Sequence, residues 1–239
     1  MSGVKTPRRR RHAPGPFKIA IPSPNAFLGL HQPGVTDRAY EGRRALLDDL
    51  VRLCAREVQD VVREGAAYVQ LDTDTDVYGR ALAQSVLETG CGEAGAADAV
   101  AAENEVLAAA RAAGVVTGVH IRRASTGLRA DALGELLLGL CDADRLLLDF
   151  GEDDPDAFEL LRLAPRGKTV VLGLVPTSGE SLPHRDALRR RIDRAARFID
   201  LEHLAISPQA GFAPGARVGE DDQKRKLELV AETARAVWG

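Results

Sequence analysis

The chain has 239 residues, 45% of them apolar and 28% charged, which is typical of a globular protein long enough to bury a sizeable core. Its net charge is −3, but residues 1–16 carry five basic side chains and no acid, so the remainder carries −8. This balance excludes a generally basic nucleic-acid-binding protein, and no apolar run approaches the roughly 18 residues of a membrane span. Three cysteines without a Cys-x-x-Cys pair favour a reducing compartment, so we expect a cytoplasmic protein.

The segment 1–16 is rich in Pro, Gly and Arg and has no periodicity, so we expect a disordered basic arm followed by one domain over 17–239. Within that domain, short β-rich runs alternate with helical patterns. Strands are predicted at 17–22, 67–72, 115–121, 145–150, 169–175 and 203–207. Helices are predicted at 42–64, 79–88, 96–113, 128–141, 155–163, 183–199 and 221–238.

The helix at 42–64 has the clearest pattern. Its apolar residues follow a period of 3.6 and predict one buried face, made of Leu46, Leu50, Cys54, Val58 and Val61. Gly65 stands where a helix commonly ends.

Apolar strands that alternate with helices predict a parallel sheet covered by helices, either doubly wound or closed as a (β/α)8 barrel. No Gly-x-Gly-x-x-Gly follows the first strand, which argues against a dinucleotide-binding domain. Polar residues gather after several strands, at the end where a barrel carries its active site. The predicted fold is therefore an α/β, (β/α)8-type (TIM) barrel, incomplete with about six βα units, two fewer than eight.

The first candidate constellation is Gln70-Leu71-Asp72-Thr73-Asp74. Alternation along a strand places Gln70, Asp72 and Asp74 on one side. A carboxylate at the mouth of a barrel can hold a substrate amine or act as a base. The alternative is an exposed loop whose Asp and Thr side chains cap a helix.

The second constellation pairs His120 with Arg122, which share a face of the third strand. The imidazole can act as a ligand or as a general acid or base, and the guanidinium suits a carboxylate or phosphate. Alternatively, Arg122 forms a salt bridge with Asp149 or Asp72 and His120 is a core residue.

A third constellation begins at Ser207 and follows the last strand as Ser-Pro-Gln-Ala-Gly-Phe. Its Pro and Gly predict a tight turn. Gln209 in this turn either contacts a ligand or holds the turn in place.

Six strings occur in an order that resembles the C-terminal domain of cobalamin-independent methionine synthase: GAAYVQLDTD, GVHIRR, LLLDF, VVLGLVPTSGE, IDLEHLAISPQAGF and KLELVAETARAVWG. The resemblance runs from about Pro16 to the C-terminus. It implies a barrel of the methionine synthase/uroporphyrinogen decarboxylase group. It also implies a reaction in which zinc activates a thiol to accept a methyl group from a folate, which makes folate a candidate methyl donor.

The resemblance also implies a set of zinc ligands, and this chain departs from it. His120 matches the family histidine and Asp149 stands where a Glu is expected, but Arg122 and Ala210 replace the two cysteines. A stable zinc site needs three or four ligands, so we expect no zinc. Asp72 matches the family aspartate that holds the amino group of the amino-acid substrate.

The resemblance therefore predicts transfer of a methyl or other one-carbon or alkyl group to an amino-acid-like acceptor. His120 and Asp149 are the candidate catalytic residues, and the candidate substrate-binding residues are Asp72, Arg122, Gln70, Ser207 and Gln209. One alternative is a metal-free decarboxylase or lyase like uroporphyrinogen decarboxylase, and another is a non-catalytic subunit.

The family's barrel has two further βα units before the first strand predicted here. We therefore expect a homo-oligomer or a partner protein that supplies the missing strands. Nucleic acid and membranes are not expected partners.

Overall fold

The computed structural model describes residues 15–28, 30–74, 92–122, 132–151, 157–179, 181–212 and 218–239. Nearly all of the predicted basic arm and the predicted helix at 79–88 lie outside these residues. None of the helices in the described ranges has the length and apolar content needed to cross a membrane.

Six parallel strands form one sheet, which confirms the predicted α/β architecture. They follow one another across the sheet in chain order: β1 (Lys18–Pro22), β2 (Tyr68–Asp74), β3 (Val116–Arg122), β4 (Arg145–Asp149), β5 (Thr169–Val175) and β6 (Leu204–Pro208). Each predicted strand agrees with the observed one to within two residues at either end. A parallel sheet of this order brings the C-terminal ends of neighbouring strands to the same edge.

Six α-helices are described: α1 (Pro24–Leu28), α2 (Gly42–Arg63), α3 (Gly92–Ala112), α4 (Ala132–Leu140), α5 (Arg185–Ala195) and α6 (Glu220–Trp238). The predicted α-helix at 155–163 is wrong in type, because Ala157–Leu163 is a 3-10 helix. Pro165 follows closely, and a residue before proline avoids the α region, so there is little room for regular α turns. The helix predicted at 183–199 is shorter, because His184 caps its start and the backbone leaves the α-helix after Ala195.

The long helix α2 buries one apolar face, as predicted, but the face is rotated over its first two turns. Leu47 and Val51 are buried there, rather than Leu46 and Leu50, while the last three predicted core residues are confirmed. Gly65 ends the helix with a φ of 87°, and its N–H donates to the carbonyl of Val62. A positive φ is easy for glycine, so the sequence signal for this end was reliable.

The chain divides into two compact units. The first contains Met1–His120 and Leu140–Asp144, and its core includes Val58, Val69, Leu71, Val106 and Leu107. The second contains Ile121–Gly139 and Arg145–Gly239, and its core includes Leu146, Val170, Leu172, Leu188 and Ile192.

A close contact inside the first unit requires glycine at position 118. The ring of Tyr68 lies over Gly118, and a Cβ atom built at Gly118 would come within 2.9 Å of two ring carbons. Any side chain at position 118 would therefore have to displace the tyrosine.

We expect Gly118→Ala to lower the free energy of unfolding by about 1–3 kcal/mol, the usual cost of overpacking a core. The measurement is denaturant unfolding followed by circular dichroism. The matched control is Gly139→Ala in α4, where an added Cβ has nothing within 4 Å. This control should be neutral or stabilising by up to about 1 kcal/mol. Equal stability of Gly118→Ala and the wild type would mean that the ring moves aside freely.

Candidate functional site

Three of the predicted site residues meet in the first unit, at the C-terminal ends of β2 and β3. Gln70 donates a hydrogen bond from Nε2 to Oδ1 of Asp72, at 2.6 Å. His120 places Nδ1 3.4 Å from the same oxygen. Gln70 and His120 are buried, whereas 45% of the Asp72 side chain is exposed. The buried side chains of Gln70 and His120 thus contact the Asp72 carboxylate from the protein interior, and the rest of the carboxylate is exposed to solvent.

The charge of Asp72 follows from these contacts. Burial, the largest single influence, raises the pKa of Asp72, but hydrogen bonds from His120 and Gln70 and the charges of His120 and Lys18 outweigh it. The pKa therefore lies below its ordinary value, and Asp72 is an anion at neutral pH. The contact also places Nδ1 of His120 on the side of the imidazole that faces the Asp72 carboxylate.

Gln70 contributes a second acceptor next to this anion. Its Oε1 is buried and has no hydrogen-bond partner within the described part of the chain. A buried carbonyl oxygen without a partner is costly, and such groups call for a functional or structural explanation. The exposed part of the neighbouring Asp72 carboxylate accepts hydrogen bonds, which suits an ammonium group, and the Oε1 atom of Gln70 lies in the interior beside it.

A network of buried polar side chains, made of Ser23, Asn25 and Glu103, connects the residues that follow β1 to helix α3. Glu103 is 1% exposed, and its Oε1 accepts hydrogen bonds from the hydroxyl of Ser23 at 2.6 Å and from Nδ2 of Asn25 at 3.2 Å. The backbone N–H of Ser23 in turn donates to the carbonyl of Asp72 at 2.9 Å. The end of β2, where Asp72 lies, is thereby tied to helix α3 through the segment that follows β1.

Sequence reasoning missed Glu103, although a signal was present. Glu103 lies on the same face of α3 as the buried residues Ala99, Val106 and Ala110. An acid on the apolar face of a helix predicts a buried carboxylate with polar partners.

The second unit contains the predicted residues that follow β4 and β6. Gly173 allows close approach here, because a Cβ atom on it would lie 3.1 Å from the Cα atoms of both Asp149 and Gln209. Gln209 donates from Nε2 to the carbonyl of Phe150 at 2.9 Å, and Arg191 donates to the same carbonyl at 3.1 Å. Gln209 thus connects the turn after β6 to the backbone that follows β4.

Ser207 and Arg122 have different surroundings. The Ser207 hydroxyl donates to the carbonyl of Pro208 at 2.9 Å. Arg122 ends β3 with an exposed side chain and makes no ion pair with any described residue. The predicted alternative of a salt bridge from Arg122 to Asp72 or Asp149 is therefore absent among these residues.

The metal chemistry expected from the family does not fit the donors described here. No group of three or more His, Cys, Asp or Glu side chains that could hold a metal ion occurs in the described ranges. The two positions that the resemblance implies for cysteines hold Arg122, whose guanidinium carries positive charge, and Ala210, which has no donor. A guanidinium repels a divalent cation rather than binding it.

The chain shows a clear similarity to known sequences. The family model for the catalytic domain of cobalamin-independent synthase matches residues 36–235. The uncharacterized protein YxjH of Bacillus subtilis is 30% identical over 238 residues, which cover 92% of this chain and 61% of YxjH. The uncharacterized protein YxjG of the same organism is 37% identical over 112 residues, which cover 45% of this chain and 30% of YxjG.

Two solved structures have a similar fold. A candidate vitamin B12-independent methionine synthase from Listeria monocytogenes has a TM-score of 0.67 at 25% identity, over 93% of this chain and 64% of that one. A B12-independent methionine synthase from Shewanella, solved with selenomethionine, has a TM-score of 0.71 at 18% identity, over 99% of this chain and 67% of that one. Both are TIM-barrel proteins of the methionine synthase type.

The chain therefore spans a little over 60% of the length of YxjH and of the Listeria protein. The match to the family model covers most of the chain, and the predicted family resemblance is confirmed. This chain belongs to the cobalamin-independent synthase catalytic-domain family.

Proposed function

We propose that the protein transfers a methyl or other alkyl group to or from an amino-acid-like substrate. The observation that carries this proposal is the acceptor-rich cluster of Asp72 and Gln70 beside His120. The family supports the class of reaction, and the cluster supports the class of substrate.

In this proposal, Asp72 holds the substrate's α-ammonium group. Asp72 supplies an ionised carboxylate that is partly exposed, and Gln70 holds this carboxylate in place through the hydrogen bond from its Nε2 to Oδ1. Hydrogen bonds from a cation to an ionised carboxylate are among the stronger ones in proteins. The Shewanella relative was solved with selenomethionine, which carries such an ammonium group, so L-methionine is a suitable probe.

His120 and Arg122 have complementary roles in the proposed site. His120 is held through Nδ1, so Nε2 would accept or donate the proton that the reaction moves. Arg122, two residues further along β3, would bind the substrate carboxylate in a bidentate manner. Asp149, Ser207 and Gln209 stay predictions, which rest on their positions at or after the ends of β4 and β6.

We expect L-methionine to bind the wild-type protein and to bind Asp72→Asn about ten- to a hundredfold more weakly, because the amide loses a charged hydrogen bond. Isothermal titration calorimetry gives both affinities. Arg122→Ala and Arg122→Lys should weaken binding too, since lysine lacks the bidentate fork. The matched control is Asp48→Asn in α2, an exposed aspartate paired with Arg44.

N-acetyl-L-methionine, which has no ammonium group, should not distinguish wild type from Asp72→Asn. Because the pKa of Asp72 is lowered, the wild-type advantage should persist from pH 7 to below pH 5 and disappear only when Asp72 is protonated. Equal affinity of the wild type and Asp72→Asn for L-methionine would contradict the proposed role.

We further propose that the reaction uses no zinc–thiolate site, because Arg122 and Ala210 stand at the positions of the family cysteines. Elemental analysis of protein purified with added zinc and then dialysed should find well under one equivalent. A matched test is the double variant Arg122→Cys with Ala210→Cys, which should retain more zinc than the wild type because thiolates bind this ion strongly. One full equivalent in the wild type would contradict this proposal.

We also propose that another polypeptide, a second copy or a different protein, covers the exposed edges of the sheet. β1 and β6 stand at the two ends of the strand order, and an uncovered edge presents unpaired backbone groups. Light scattering of the purified chain should give a mass of at least twice 25.6 kDa, or a stoichiometric partner should co-purify. A stable monomer at micromolar concentration would count against this arrangement.

A further inference from the structure

A lysine of the last described helix is buried in the second unit. Lys226 in α6 is 1% exposed. Its Nζ donates to the carbonyls of Gly179 at 2.7 Å and Pro176 at 2.9 Å, and the carbonyl of Ser178 lies 3.5 Å away. All three acceptors belong to the segment 176–179, which directly follows β5.

The ammonium group of Lys226 donates to backbone carbonyls that no helix or strand pairs. The segment 176–179 is neither helix nor strand, and Gly179 turns it with a φ of 68°. An ammonium group has three donors and can serve several carbonyls that converge on one point. Burial lowers the pKa of Lys226, while the charge of Asp222 partly opposes this effect, so holding the lysine here costs free energy.

The position of residues 176–179 after β5 indicates which function the buried lysine serves. In barrels of this type, the segments that follow the strands line the active site. Thr177 is half-buried in this segment and Ser178 is exposed, so the segment presents hydroxyl groups at that end. Lys226 in helix α6 contacts this segment from the protein interior.

We propose that Lys226 is a positioning residue, which sets the backbone of residues 176–179 so that this segment can contact the substrate. The proposal rests on the proposed function, because the substrate is the one that is proposed there. Lys226 itself touches no substrate and acts only through the carbonyls that it holds.

The experiment compares the wild type with Lys226→Met, which keeps the length of the side chain and removes its donors. Hydrogen exchange of the ligand-free proteins should show protection of the amides of Gly173, Leu174 and Val175, at the end of β5, reduced about tenfold, because the segment that follows them loses a hydrogen bond to a charged donor that is worth at least that factor. Protection in β1 and β2 should be unchanged. Titration with L-methionine should show affinity reduced about tenfold, on the same basis.

The matched control is Lys224→Met, two residues earlier in α6, where an exposed lysine pairs only with Glu220 at 2.9 Å. It should match the wild type in both measurements. If Lys226→Met does not fold, Lys226→Gln, which keeps one donor group on a shorter side chain, replaces it under the same criteria.

The outcomes separate the two proposals. Unchanged protection of 173–175 in Lys226→Met would overturn the positioning role, whatever the ligand does. Reduced protection with unchanged L-methionine affinity would overturn the link from the segment 176–179 to the substrate. Absence of L-methionine binding by the wild type would overturn the proposed function, and with it that link, while hydrogen exchange would still decide whether Lys226 holds the segment.

Discussion

The ionised carboxylate of Asp72 at the end of a buried strand is the constraint on which the first unit depends. Gln70 donates to Oδ1 and His120 lies 3.4 Å from the same oxygen, and together they lower the pKa of Asp72 although burial raises it. The same contacts leave the amide oxygen of Gln70 buried without a hydrogen-bond partner among the described residues. The carboxylate of Asp72 thus determines the charge and the hydrogen-bonding character of its surroundings.

Buried polar side chains on helices have a related role in each unit. In the first, Glu103 of α3 accepts from Ser23 and Asn25 just after β1. In the second, Lys226 of α6 donates to the segment after β5. Segments after parallel strands leave backbone groups unpaired, and buried side chains that pair with them restrict their conformation. Helices that cover the sheet therefore also shape the edge at which a ligand would bind.

The expected departures from the family pattern place Arg122 and Ala210 where the resemblance implies cysteines. The first would introduce positive charge and the second would remove a donor. Within the described residues, Arg122 is exposed and makes no ion pair. In the second unit, the side chain of Gln209 donates to the backbone carbonyl of Phe150.

The sequence by itself determined the six strands and their parallel arrangement, because short apolar runs and helical faces of period 3.6 are local patterns. It also placed Gln70, Asp72 and His120 at strand ends, since alternation fixes which side chains share a face. The rotated face of α2 and the 3-10 helix at Ala157–Leu163 were missed, because packing and a nearby proline decide such details. Only the tertiary structure revealed that His120 contacts Asp72 and that Lys226 reaches the segment after β5. These pairs are 48 and about 50 residues apart in the chain, and no local pattern specifies which distant groups a buried polar side chain will contact.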